Sequence, residues 1–534
     1  MMREMKMLLS FAFTLVIAGV ACAGHRSSSP AQAAGTTSTA QSPSAAQGKP
    51  FIPVEGADLV SKIDAAMKKA RVGSSQTPFW TAYGFDVRPG VGVDANVREF
   101  HGSMQSWDSD TNVVVGTSRG MTVETRNLGV FLLRDANSGT ITRVEVYNLE
   151  RPREYGGHPI YWLGRAGNEE SLNFLRGIAE SNLTPLATEH ATLAVALHDD
   201  PRVADILKNF VRKSTNPRTR STSVFWLGQT GGEHAFLADL VRNEQESDQF
   251  RRHAAHAVGQ SRDPSALVTL QSLYESIARK DVKRGIIHAV ADNENKDAAY
   301  AFLLKVAKTD VDRDARKQAI HRLGDTKRET VIDELMKIYA GENDTDIKRQ
   351  VLHALSQIKS PRAEAKLLEI ARTSEHPELR KNAIHWLGQN GTDPMVDELM
   401  RLYEAERVTD VKKHIVHALA QMKSARAEDK LFEIARGSDS VEMRRQAIHR
   451  IGEKAGRRSL ELLRDTVDSS GAAAEIQMQA VHAIGERPPD EAIPLLIKIA
   501  KTHANAAVRK RAIHRLGETG DPRALEFFRE VLTK

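Results

Sequence analysis

Toward the C-terminal end, apolar residues fall at every fourth position, Val508, Ala512 and Leu516, inside the stretch VRKRAIHRLG, with Lys510 and His514 between them. That spacing predicts a helix with one buried stripe. The pattern returns as AIHRLG ending at Gly324, AIHWLG at Gly388 and AIHRIG at Gly452. Histidine gives the ruler: His256, His288, His321, His353, His385, His417, His449, His482 and His514 recur at one nearly constant interval. Counting back by the same step reaches Phe225, Leu193 and Tyr161 in the same hydrophobic frame. The segment 151–534 therefore reads as about twelve copies of one unit, a repeat array.

Each copy holds two amphipathic helices. The first often opens at an Asp-Pro pair, as at Asp200-Pro201, Asp263-Pro264, Asp393-Pro394 and Asp521-Pro522, which supplies an N-cap and a preset first turn. The second starts with an acid and an aliphatic residue, continues with two basic residues and often ends at a glycine. A helix pair of this size cannot bury its own apolar face, so it needs neighbours stacked on it. Segments 321–384 and 385–448 align without a gap at 32 identical positions in 64, as a duplicated two-repeat block would. In keeping with that period, the residue after the ruler position is large at Trp162, Trp226, Arg322, Trp386, Arg450 and Arg515 and alanine at most others. The plainest reading is alternating large and small spacers between stacked helices.

The preceding segment has a different period. The stretch 56–71 puts Leu59, Ile63, Ala66, Met67 and Ala70 on one helical face, and TNVVVGTSRGMTVETRN, GVFLLRD and TITRVEVYNL then alternate as strands do, with a turn at DANSGT. Residues 51–150 are expected to form a small β-rich α+β domain built mainly on an antiparallel sheet.

Composition narrows the function classes. Aromatic residues make up 5% and charged residues 27%, and 75 basic against 69 acidic residues leave a net charge of only +6, so distribution matters more than the sum. Cys22 is the one cysteine, which excludes an intramolecular disulfide, a cysteine zinc cluster and a Cys/His nucleophile pair. Arg3 and Lys6 precede an apolar run from Met7 to Gly24 that reads as an export signal over residues 1–23. Two processing readings stand. Ala21-Cys22-Ala23 offers an A-x-A cleavage site, and GVAC resembles a bacterial lipobox that would lipidate Cys22, although Gly19 departs from the usual leucine. Residues 24–50, rich in Ser, Ala, Thr and Gln, read as a disordered tether. The expected location is the periplasm or an outer-membrane anchor of a bacterium, the membrane being reached only through that lipid.

Asp521, Pro522, Val508, Arg509, Ala512, Leu516 and Gly517 match the pattern D-P-x-(helix)-x-V-R-x-x-A-x-x-x-L-G. In this the chain resembles HEAT repeats, in particular the short HEAT-like repeats first named from phycobilisome lyases, from about Arg153 to the C-terminus. The resemblance implies an all-α right-handed solenoid of helix pairs, preceded here by the β-rich domain. It implies a protein-binding scaffold more than an enzyme, lyase and DNA-repair members being few. It also implies that the second helix of each pair lines the concave surface.

With Ala512 facing the core, a step of about 100° per residue puts Lys510 and His514 about 160° and 200° away, on the side opposite their own core. The same pair recurs as Arg252/His256, Arg284/His288, Lys317/His321, Arg349/His353, Lys381/His385, Lys413/His417 and Arg445/His449, while His482 has Met478 in the basic slot. These paired residues are the candidate partner-binding surface, expected as a continuous positive stripe. A second basic row five positions before the histidines, Arg251, Lys283, Arg316, Lys348, Arg380, Lys412, Arg444 and Arg509, reads as structural, with acids seven before the histidine at the helix start. Three readings of the histidines stand: groove filling, an anion or acidic-peptide contact, and a metal site, the last disfavoured by a lattice spacing with a cation one turn away. No catalytic motif, P-loop or glycine-rich fingerprint is found, and GVGVDA at 90–95 has neither the spacing nor a following helix. No cofactor or metal is expected. The expected partner is a protein or acidic polymer on the concave face, with nucleic acid disfavoured by export and scarce aromatics. The alternative is an envelope enzyme or sensor whose β-rich domain acts while the array positions a substrate. A histidine one turn from a cation should titrate low, so the stripe would gain charge only in acid.

Overall fold

The computed structural model describes residues 51–533 except 73–76, 90, 95–112, 116–121, 125, 150–154, 182, 262, 438–439 and 455. The expected signal sequence, Cys22, the tether and most of GVGVDA's flank lie outside the described residues. The chain divides into two compact units, Met1–Asn295 and Lys296–Lys534.

In the first unit a five-stranded sheet runs β1 (Ile52–Pro53), β8 (Ile160–Arg165), β2 (Phe79–Gly84), β6 (Leu128–Arg134), β7 (Ile141–Asn148). A three-stranded sheet holds β3 (Val91–Asp94) between β4 (Val113–Val115) and β5 (Thr122–Glu124). β2, β6 and β7 pair antiparallel, and β6–β7 is the hairpin whose turn is held by Asp135 Oδ1 accepting from the amides of Asn137 at 3.1 Å and Ser138 at 2.9 Å. Helix α1 (Leu59–Val72) buries Leu59, Ile63 and Ala66, the stripe its spacing predicts.

The IYWLG segment corrects the expected start of the array. Its hydrophobic frame predicts a first repeat beginning at 151, but it is β8, paired parallel with β1 and β2, so sheet extends to Arg165 and the helices begin at Asn168. A mostly apolar run suits a strand covered on both faces as well as a helix, and the pairing with β2 that decides between them is remote in sequence.

The helices of the first unit are α2 (Asn168–Ala179), α3 (Pro185–Ala196), α4 (Val203–Lys213), α5 (Pro217–Thr230), α6 (His234–Arg242), α7 (Asp248–Gln260), α8 (Ala266–Ser276) and α9 (Lys280–Asp292). The sheet is locked to the first of them. The Arg88 amide donates to Leu197 O at 2.9 Å and the Asp199 amide to Asp86 O at 2.8 Å, extending the β2 backbone along the end of α3. Beneath this seam Ser171 Oγ, on α2, is hydrogen-bonded to the Tyr83 hydroxyl at 3.1 Å and to His198 Nε2 at 2.8 Å. His198 Nδ1 donates to Ala194 O at 2.7 Å, and its ring stacks on Phe85 with centroids 4.3 Å apart. All four side chains are buried.

The second unit comprises α10 (Lys296–Thr309), α11 (Arg313–Asp325), α12 (Val331–Gly341), α13 (Thr345–Ile358), α14 (Pro361–Thr373), α15 (Pro377–Asn390), α16 (Asp393–Ala405), α17 (Thr409–Gln421), α18 (Ala425–Arg436), α19 (Val441–Gly452), α20 (Arg457–Asp468), α21 (Ala474–Gly485), α22 (Pro489–Thr502), α23 (Ala506–Thr519) and α24 (Pro522–Leu532). Even-numbered helices are the first members of pairs and odd-numbered ones the second. Among the described residues the array is thus eleven pairs, α2–α3 to α22–α23, followed by α24.

Successive second helices touch through a glycine and an alanine. A Cβ built on Gly324 would lie 2.7 Å from Ala354 Cα, and one on Gly388 2.7 Å from Ala418 Cα, so the close approach excludes any side chain there. Gly452 meets Ala483 in the same way. At the joints between, the spacer is large: Trp386 lies beside Leu355 and Ser356 where α15 meets α13, and the Arg515 guanidinium covers Gly485 where α23 meets α21. This is the physical form of the two-repeat period in the second unit. In the first unit Gly228 meets Ala257 and Gly259 meets Ala289, with no alternation.

Candidate functional site

The helix periodicity that buries Ala319, Ile320 and Leu323 completely leaves His321 and its equivalents on the outward side of their helices. The histidine side chains are partly exposed, 44% at His256, 41% at His321 and 62% at His514. Within the second unit the rings form a run: His321 and His353 have centroids 5.4 Å apart, His353 and Trp386 5.0 Å, and Trp386 and His385 5.0 Å. Gln350 and Gln357 hydrogen-bond the two nitrogens of His353 at 3.3 and 3.1 Å. Several histidines also face an acid one turn on, as His449 does Glu453 at 3.8 Å, and His514 does Glu518 at 3.5 Å. Burial, and after it the neighbouring imidazoles and Arg450, hold His353, His385 and His417 below the ordinary histidine value.

The basic residues one turn earlier are not the row of free cations that the spacing predicts. Lys317 contacts Asp314 at 2.9 Å, Arg445 contacts Glu442 at 3.4 Å, and Arg284 and Arg349 are held by Asp281 and Asp346 of their own helices. Lys381 sits between Glu378 at 2.7 Å and Asp410 of the following second helix at 2.8 Å. Lys413 likewise reaches Glu442 at 2.9 Å. Arg313 spans from α11 to Asp344 and Asp346 on α13. The acids that open each helix thus serve this row, and the face carries alternating charge. Among the described residues Arg252 and Lys510 have no carboxylate in ion-pairing range, although Arg252 still lies close enough to Asp281 to help lower its pKa.

The row five positions before the histidines turns toward the first helix of its own pair, and Arg316 and Arg380 also reach an acid of the following repeat, Glu342 and Glu406. Lys283, Lys348 and Lys412 lie over the rings of Tyr274, Tyr339 and Tyr403 at 4.7, 5.1 and 4.7 Å. Arg380 donates to Ser374 O at 2.8 Å and to Glu406 at 3.0 Å, and Arg509 donates to His503 O at 2.7 Å. Where that slot holds Gln477, its amide donates to Val467 O at 3.0 Å and Ser469 O at 2.9 Å. These side chains cap the end of the first helix of the pair.

Sequence reasoning misses a third ladder, on the first helices: Arg362 to Asp333 at 2.6 Å, Arg426 to Asp397 at 2.7 Å and Arg458 to Asp429 at 2.6 Å. Its signal is an arginine and an acid 29 residues apart. Among the described residues no cluster of three or more His, Cys, Asp or Glu is placed to hold a metal ion, and no helix is long and apolar enough to cross a membrane.

No curated protein matches the chain. Among solved structures, that of the karyopherin Kap121p bound to the SUMO protease Ulp1p is 14% identical at a TM-score of 0.39, over 68% of this chain and 47% of that one. A complex of Kap95p with RanGDP is 11% identical at a TM-score of 0.37, over 67% and 56%. Kap121p bound to Pho4p is 12% identical at 0.34, over 68% and 51%, so the chain spans about half the length of these proteins. The likeness concerns the fold alone. The family model for HEAT repeats matches residues 235–323, 300–375, 364–452 and 467–534, more than half of the sequence and the whole of the histidine ladder. The chain belongs to the HEAT-repeat family.

Proposed function

We propose that this protein is an exported, lipid-anchored HEAT scaffold that holds a protein partner along the outward face of its second helices. One observation carries the reading: on α11 to α19 that face sets alternating acids and bases around a run of imidazoles and Trp386. A surface with both signs of charge and an aromatic centre fits a protein surface better than a polyanion, since a polyanion must displace the acids already paired there. Family membership supports placing these helices on the concave wall. The apolar run from Met7 to Gly24, Cys22 and the Ser/Ala/Thr/Gln tether support export and anchoring.

The sheet is tied into α2 and α3 through Tyr83, Ser171 and His198. This supports its role as the end cap of the array over that of a separate enzyme or sensor domain.

The test places photo-crosslinkers on the outward face of α13 and α17 and on α14 and α18, in the native envelope. Adducts concentrated on α13 and α17, and lost when His321, His353, His385 and Trp386 are changed to alanine, are the expected result. Adducts spread equally over both helices of each pair would reject the face. Cys22→Ser should release the protein from the membrane fraction, and retention would reject the anchor.

A further inference from the structure

The joint between the first helices α10 and α12 is filled. Tyr300 lies under the Arg328 guanidinium, 6.0 Å from its ring centroid, and Glu334 of α12 takes Lys308 from across the joint and Lys337 from its own helix at 2.8 Å. The corresponding positions between α2 and α4 hold Leu172 for Tyr300, Glu180 for Lys308, Ile206 for Glu334 and Asn209 for Lys337. The ring and the crossing ion pair thus have no counterpart there, and Arg202 to Glu169 at 3.8 Å is the link that remains. A cleft of about 390 Å³ stands open between the two helices, lined by Leu172, Asn173 and Arg176 of α2 and by Ile206 and Asn209 of α4. That volume lies in the range of small-ligand sites.

Three of these side chains are not used by the fold. Among the described residues Arg176 has no carboxylate in ion-pairing range, and neither its guanidinium nor the carboxamides of Asn173 and Asn209 hydrogen-bond to the protein. The charges at the margins are already balanced. Arg202 is held by Asp200 at 2.8 Å, and Asp205 by Lys208 at 2.8 Å with Arg212 nearby. What remains is one guanidinium fork suited to a planar carboxylate, two carboxamides that each offer a donor and an acceptor, and a short apolar floor of Leu172 and Ile206. The lining holds no aromatic ring on which a sugar or a base could lie, and one unpaired arginine is a poor match to a polyphosphate.

We infer that the cleft between α2 and α4 binds a short peptide with small aliphatic side chains and a free C-terminal carboxylate. Arg176 takes the carboxylate in a forked pair. Asn173 and Asn209 meet the peptide N–H and C=O groups, and an alanine-sized side chain covers Leu172 and Ile206. The cleft lies on first helices, apart from the histidine face, and its test does not depend on that face binding anything.

The experiment uses the full chain and acetyl-Ala-Ala with a free carboxylate, followed by saturation-transfer difference NMR. Transfer to the alanine methyls should saturate with a dissociation constant on the order of 1 mM, as expected for so small a ligand in an open cleft. Arg176→Gln should weaken binding about tenfold. Acetyl-Ala-Ala amide, which lacks the carboxylate, should bind the wild-type chain about as weakly and lose nothing further in Arg176→Gln. Asn173→Trp puts an indole into the cleft from an exposed position, so it should abolish binding with an unchanged thermal melt. Absence of saturable transfer, equal affinity for the acid and the amide, or binding that survives Arg176→Gln and Asn173→Trp undiminished overturns the proposal.

Discussion

Replacing His198 with leucine should remove a pH dependence that the wild-type chain carries in its first unit. Burial against Phe85 and beneath the β2 seam pushes the His198 imidazole down to about 4 from an ordinary 6.5, with Asp200 and Asp86 offsetting only part of the effect. The folded chain therefore refuses a proton that the unfolded chain accepts between these values. Stability from this group is complete above about pH 6.5 and is lost as pH falls through about 4. That interval corresponds to about 3 kcal/mol, of which about 2 kcal/mol is gone by about pH 5. The leucine variant loses the Ser171 hydrogen bond, about 1–3 kcal/mol at neutral pH, but has no proton to exclude. Urea unfolding followed by tryptophan fluorescence, which reads Trp80 and Trp162 in the sheet, should show the wild-type advantage at about pH 7.5 shrinking or reversing by about pH 5. Other histidines also resist protonation, so the difference between the two proteins is the quantity that decides. Parallel stability curves over that range would refute the assignment of a neutral, proton-excluding His198.

Gly388→Val should lower the thermal midpoint through a loss of about 1–3 kcal/mol, because its Cβ would fall 2.7 Å from Ala418 Cα, while Gly517→Val should leave the melt nearly unchanged. Arg487→Met leaves the carbonyls of Lys454 and Gly456 without their buried donor, so α20 and α21 should exchange amide hydrogens faster, with a cost of about 1–3 kcal/mol. Deleting residues 51–165 strips Ser171, His190 and His198 of their partners Tyr83, Val144 O and Phe85, and the truncated chain should bind a hydrophobic dye and be cut early by protease within α2 and α3. A truncated chain as compact and resistant as the full one would show that the sheet is not the cap.

Much of the fold is legible because the repeat is local: Val508, Ala512 and Leu516 mark their own helix, and the recurring histidines set its period. IYWLG misleads because its apolar run matches VFWLG at Phe225, while its strand character comes from Phe79–Gly84, far away in sequence. Site chemistry is harder still. Outward placement of Lys381 follows from helix geometry alone, but its neutralisation by Asp410 is a contact across to the next second helix. For that reason the acids opening each helix cannot be given to one basic row from sequence: Arg380 and Lys381 lie one position, about 100°, apart, and it is Lys381 that takes Asp410. Lys412 over Tyr403 needs the first helix of the pair folded back, which no spacing rule contains.

The glycine notches set the step by which this array can grow or shrink. Removing 353–384 would splice α13 to α15 and bring Trp386 to the place of Ala354, driving an indole into the 2.7 Å gap at Gly324. Removing the longer block 321–384 leaves Gly388 facing Ala418 as before. Loss of one repeat in that frame meets a steric penalty, and loss of two does not. The halves at 321–384 and 385–448, identical at half of their positions, are what one gain of two repeats leaves behind.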